Sequence, residues 1–310
     1  MKALITLAFY FMCISLTKVV GQPNYPVNPE DASLVTTDLE NFISAWNAFK
    51  TSEDSLRIIQ EDYIEQASPG LVEYIRRFDL KAESILESIR LYPGDYNEVS
   101  TFLQKIEKDS LGFTALMKEY KSVLPKTVFA PTYLLVADHR GINQASAQGQ
   151  LVTVERAHVT DLDKLRNTIV HELTHFQQAM TMGIQAYAGM YAKENNMLDI
   201  ILREGCADFV TFGLVRDNRD DNPKLRYFEE HESELWERFK RDLENQNKAF
   251  WIGVPPRERD PSVPVQPGYG VGYKIVEAYF NRSTDKEAAL HELLLMSNTQ
   301  DVLERSGYDN

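Results

Sequence analysis

After a Pro- and Asn-rich leader from Gln22 to Asp31, apolar residues recur at helical spacing. Leu39, Phe42, Ile43, Trp46 and Phe49 lie three or four positions apart, and Leu56, Ile59 and Tyr63 continue the stripe. That spacing predicts amphipathic helices. Val99, Phe102, Leu103 and Ile106 repeat it, while Ser68-Pro69-Gly70 and Tyr92-Pro93-Gly94 read as breaks between helices. The period changes at Lys126. Thr127 to Ala137 and Gln150 to Glu155 are rich in β-branched and aromatic residues, with Asp138-His139-Arg140-Gly141 between them. This predicts an antiparallel pair of strands joined by a loop. From Asp161 the helical period returns and holds to the end, apart from a Pro-rich loop from Val254 to Pro267. Helices, a small antiparallel sheet, then helices make an α+β fold, mainly helical. The expected organisation is an N-terminal helical region, 22–125, followed by a second region, 126–310.

Residues 1–21 follow a different pattern. Lys2 precedes an apolar run from Ala3 to Leu16, and Lys18 and the small-residue stretch Val19-Val20-Gly21 follow it. This is the form of a secretory signal peptide. The apolar run falls short of the roughly 20 residues a membrane helix needs, so no stable span is expected after cleavage. Cys13 leaves with the leader and Cys206 remains alone, which excludes an internal disulfide. An exported protein of the periplasm or exterior is expected, held together by its core and a metal.

The remaining composition narrows the function classes. With 310 residues, 43% of them hydrophobic, the chain can bury a sizeable core. Lys and Arg number 33 against 46 Asp and Glu, a net charge of −13, and no basic run occurs. A nucleic-acid partner is excluded on that ground, because phosphate recognition needs clustered cations.

The candidate chemistry lies in His171-Glu172-Leu173-Thr174-His175. On a helix, i and i+4 share a face, so both imidazoles can reach one ion. Glu172 leaves that pair and can take a proton from water at the open coordination position. Thr160 as N-cap with Asp163 starts the helix, and Leu162, Leu165, Ile169, Leu173 and Phe176 form its buried stripe. Two imidazoles suit zinc when a carboxylate completes the set. Glu204 supplies it, 29 residues after His175, and Asp208 lies one turn further on the same face. Asp208 can accept the far N–H of a ligating histidine and fix its tautomer. Cys206 points away from Glu204 and reads as a buried, inert thiol.

His171-Glu-Leu-Thr-His175 followed by Glu204-x-x-x-Asp208 resembles the gluzincins, the thermolysin-like clan of zinc peptidases. It is similar in particular to predicted zinc-dependent proteases of bacteria, families of unknown function with a helical N-terminal half. The resemblance implies a zincin-like core that hydrolyses peptides or proteins. Its implied ligands are His171, His175 and Glu204, with Glu172 as general base. It also implies that the strands before the motif form the rim on which an extended peptide lies. No histidine matches the second catalytic histidine of thermolysin-like enzymes.

The oxyanion donor must then come from elsewhere. His231 and His291 sit in charged helices and read as surface residues. Gly268-Tyr269-Gly270-Val271-Gly272-Tyr273 is similar to a Gly-Tyr-x-x-Gly-Tyr element of some helical zinc peptidases, in which a tyrosine hydroxyl meets the oxyanion. Its glycines would let the backbone approach a ligand ahead of a helix from Lys274 to Phe280. Tyr273 is the first candidate and Tyr269 the second, with Tyr187 and Tyr191, between the zinc helices, as further candidates. The rival expectation is an exported zinc-binding assembly or binding protein without peptidase activity.

Overall fold

The computed structural model describes residues 24–49, 54–156, 161–192, 197–245, 247–253 and 266–308. The leader 1–21, Thr160 and residues 254–265 of the Pro-rich loop lie outside them.

The fold is α+β and mainly helical, with four short strands among the described residues. The N-terminal half carries α1 (Thr37–Phe49), α2 (Ser55–Ile58), α3 (Pro69–Phe78), α4 (Ala82–Leu91), α5 (Pro93–Asn97), α6 (Val99–Lys108) and α7 (Ser110–Val123). The two Pro-Gly breaks are helix starts. Ser68 caps α3 by accepting from the Leu71 amide, and Pro69 and Pro93 stand in the first turns, where a missing N–H costs nothing. The π-helical turn Ile59–Ile64 after α2 carries Ile59 and Tyr63 into the core.

The strands are β1 (Leu34–Val35), β2 (Thr132–Leu135), β3 (Gln144–Ser146) and β4 (Gly149–Thr153), in the spatial order β1-β2-β4-β3. The two strand-like runs do not form the expected antiparallel pair: β2 and β4 pair in parallel, Thr132 opposite Gln150 and Leu135 opposite Thr153. The reason is β3. This three-residue strand turns back through Ala147-Gln148 and pairs antiparallel with β4, so β4 re-enters in the direction of β2. Gly149, at φ +141°, allows this re-entry, because a Cβ there would stand 1.9 Å from the Pro131 carbonyl oxygen. The sheet is therefore mixed, with β3 as its antiparallel edge. Every residue of β2 and β4 is buried, so both faces are covered. Helices α1 and α3 pack on β2, and α3 also reaches β4.

The C-terminal half carries α8 (Leu162–Met182), α9 (Ile184–Ala192), α10 (Met197–Asp208), α11 (Pro223–Glu230), α12 (Glu232–Asn245), α13 (Lys248–Trp251), α14 (Pro267–Arg282), α15 (Lys286–Leu295) and α16 (Thr299–Ser306). A π-helical segment, Phe209–Val215, continues α10. Helix α8 lies against β3 and β4, and one hydrophobic core runs from Leu39 to Val302 through sheet and helices. Among the described residues, no helix is long and apolar enough to cross a membrane.

Candidate metal centre

Helix α8 starts one residue later than the spacing suggests. Asp161 is its N-cap, accepting from the amides of Asp163 and Lys164. Of the expected stripe, Leu165, Ile169, Leu173 and Phe176 are buried and Leu162 is half-buried, which leaves His171 and His175 on the face toward α10. Tyr120 of α7 hydrogen-bonds Thr174 at 3.1 Å, fixing the helix between the two histidines.

The position of α10 is set by glycine. A Cβ on Gly205 would stand 2.1 Å from the Gly272 carbonyl carbon, and one on Gly272 would stand 2.0 Å from the Ile201 carbonyl oxygen. The run Gly268 to Tyr273 is therefore not a loop that approaches a ligand. It lies inside α14, and its glycines let α14 press against the helix bearing Glu204. The reason is steric: only residues without Cβ allow backbones this close.

Together these elements bring His171, His175 and Glu204 together. His171 Nε2 lies 3.0 Å from His175 Nε2, and Glu204 Oε2 lies 3.1 Å from His175 Nε2 and 3.5 Å from His171 Nε2. Asp208 Oδ1 lies 2.8 Å from His171 Nδ1. That bond puts a proton on Nδ1 and turns the Nε2 lone pair toward Glu204. Lone pairs and a carboxylate oxygen facing one another at such distances call for a positive charge among them. The electrostatics agree. Burial disfavours charge on His171, yet its hydrogen bonds to Asp208 and Glu204 outweigh burial and push it up to about 10. Burial likewise opposes charge on Glu204, but the two histidines hold it well below the ordinary carboxylate range. A dication satisfies such a cluster better than a proton does. Two imidazoles and one carboxylate are a donor set that fits zinc.

Glu172 is only 6% exposed. Burial raises its pKa against the pull of His171 and His175, and the backbone amide of Ala145, in edge strand β3, donates to its carboxylate. The two tyrosines separate. Tyr273 is fully buried, its hydroxyl against Gly213 and its ring edge-on to Phe209. Tyr269, one turn earlier, lies nearly parallel to the His171 ring with centroids 6.1 Å apart. Tyr269 thus lies beside the His171 ring, whereas Tyr273 is packed in the core. Tyr187 lies under the guanidinium of Arg203, 5.3 Å from its ring centre. Burial pushes the Cys206 thiol up to about 12, which leaves it inert. His231 and His291 are exposed.

Sequence reading missed the residues behind Asp208. Asn222 caps α11 with its oxygen and donates its amide to Asp208 Oδ2 at 3.2 Å. Lys224 Nζ lies 4.0 Å from the same oxygen and 3.3 Å above the Tyr269 ring centre. Burial raises Asp208, but Lys224 and His171 hold it below its usual range. The available signal was Asn222-Pro223, a helix start that presents an amide and a lysine on one turn.

A family model described as "Putative zinc dependent peptidase (DUF5700)" matches residues 38–253, a span that holds His171, Glu172, His175, Glu204 and Asp208. No curated protein and no solved structure matches the chain.

Proposed function

The chain belongs to the DUF5700 family, and from that premise we propose that it is an exported, gluzincin-type zinc metallopeptidase with Glu172 as its general base. The observation that carries this reading is the convergence of His171, His175 and Glu204 with a buried, non-ligating carboxylate, Glu172, beside them. A site serving structure alone has no use for that carboxylate and is usually closed by a fourth protein ligand.

His171, His175 and Glu204 would hold the zinc, which when bound would supply a Lewis acid and lower the pKa of water. Glu172 takes the proton from the attacking water as its oxygen bonds to the peptide carbonyl carbon. It then passes that proton to the amine nitrogen as the carbon–nitrogen bond breaks. The raised pKa of Glu172 suits both halves of this task. Asp208 keeps the proton on His171 Nδ1, and the Tyr269 hydroxyl, ahead of Tyr273, is the donor to the developing oxyanion. The edge strand β3 offers main-chain groups to an extended peptide.

Residues 22–125 act in this reading as a wall of the cleft over the catalytic region 126–310. Supporting it, Tyr63, Ser88 and Tyr96 donate to the carbonyls of Val136, Asp138 and Ala137, and Tyr74 to that of Ile142. Those bonds stitch the helical region to the segment that leads into β3. Export rests on the leader 1–21 and on the single cysteine that follows it.

The test is digestion of a mixed peptide library read by mass spectrometry. Cleavage that a chelator abolishes and zinc restores is expected. A zinc-loaded chain that leaves the library intact would favour a zinc-binding protein without peptidase activity.

A further inference from the structure

We propose that Gln178 is a positioning residue of the metal centre, holding His175 in the tautomer whose Nε2 lone pair faces the ion. The inference rests on the reading of His171, His175 and Glu204 as a zinc site.

Gln178 is fully buried on α8, three residues after His175. Its Nε2 donates to the Arg203 carbonyl oxygen at 3.1 Å, and its Oε1 lies 2.9 Å from His175 Nδ1. The order of these atoms is forced. A backbone carbonyl can only accept, so the amide nitrogen must face Arg203 and the amide oxygen must face the histidine. An amide oxygen can only accept in turn, so Nδ1 must carry the proton. Nε2 is left with its lone pair, and Nε2 is the atom 3.1 Å from Glu204 Oε2. The backbone of α10 thereby dictates the protonation of a ligand on α8.

The same bond has a second consequence. Arg203 immediately precedes Glu204, so Gln178 ties the ligand-bearing turns of the two helices directly together. The two histidines are oriented by different chemistry: Asp208 serves His171 with a charge, and Gln178 serves His175 without one. A neutral acceptor fits this position because Glu172, Glu204 and Asp208 already bury three acids here, and a fourth would add to their repulsion.

The test measures zinc affinity of the full chain by competition with a chromophoric chelator, alongside melting of the zinc-free and zinc-loaded forms. Gln178→Met keeps the volume and removes both hydrogen bonds, whereas Gln178→Glu keeps an oxygen for Nδ1–H. Gln178→Met is expected to weaken zinc binding about 10- to 100-fold, with Gln178→Glu much nearer the unmodified chain. A role in packing alone would lower both melting temperatures together and leave the affinity of Gln178→Met unchanged, which overturns the proposal. Should Gln178→Met not fold, the imidazole ¹⁵N spectrum of the zinc-loaded, unmodified chain decides: a proton on His175 Nδ1 is required, and one on Nε2 refutes it. An unmodified chain that takes up no zinc removes the site reading itself, not only the role of Gln178.

Discussion

Two regions of this molecule bury carboxylates, and they treat them in opposite ways. At the metal centre, Glu204 and Asp208 lie among His171, His175 and Lys224, which hold both acids below their ordinary range despite burial. At the sheet, Glu155 is fully buried at the end of β4, and the Ala137 amide donates to it at 3.1 Å. Burial there dominates and pushes Glu155 up to about 7. Asp38, held by the Ser68 amide at 2.9 Å, is also raised by burial. An acid buried beside bases marks a place built to hold charge. An acid buried among amides and hydroxyls ties a loop in place and accepts a proton readily. Substitutions at the first should therefore move zinc or turnover, and substitutions at the second should move stability and its pH dependence.

Apart from loss of the proposed base, the largest effect expected is on turnover. Tyr269→Phe keeps the ring against His171 and removes the hydroxyl, and kcat should fall about 10²- to 10³-fold with zinc content unchanged. Equal turnover would remove Tyr269 from the chemistry.

On the sheet side, the sign of the Glu155 effect follows from its raised pKa. In the unfolded chain it loses its proton near pH 4.3, whereas in the fold it keeps it to about 7. Its contribution is thus fully present below about pH 4.3 and is lost as pH rises through about 7, a fall of roughly 3 kcal/mol. Glu155→Gln should flatten the decline of stability between about pH 5 and pH 8 by an amount of that order, read by denaturant unfolding, and leave zinc affinity alone. A changed affinity would break the separation between the two regions.

Asp208→Asn keeps an acceptor for His171 but removes the charge. Zinc affinity should drop about 10- to 100-fold, read by competition with a chelator. The smallest effect belongs to Tyr273→Phe, which should alter stability by no more than about 1 kcal/mol and leave kcat intact.

The same contrast explains what was legible in the sequence. The metal centre is written in local spacing, since i and i+4 on α8 and again on α10 fix which side chains share a face. Asp208 could be placed behind a histidine before any fold was known. The sheet was legible only as apolar runs. Gln144-Ala145-Ser146 is short and polar, with no alternation to reveal a strand, so the parallel pairing of β2 and β4 was hidden. The glycines of α14 misled for a related reason. Glycine marks a close approach without naming the partner, and here the partner is Gly205 and the Ile201 carbonyl rather than a ligand. Gln178 was visible one turn past His175, but its role depends on the Arg203 carbonyl of another helix, a contact no spacing rule supplies.

The most direct test of the central claim is Glu172→Gln, assayed for bound zinc and for hydrolysis of a peptide the unmodified chain cleaves. Glu172 lies outside the His171, His175 and Glu204 cluster, so the variant should retain its zinc, and with Glu172 as the proposed base hydrolysis should fall by about 10²- to 10⁴-fold. A variant that keeps zinc and cleaves at the original rate would contradict the assignment of Glu172 as the base.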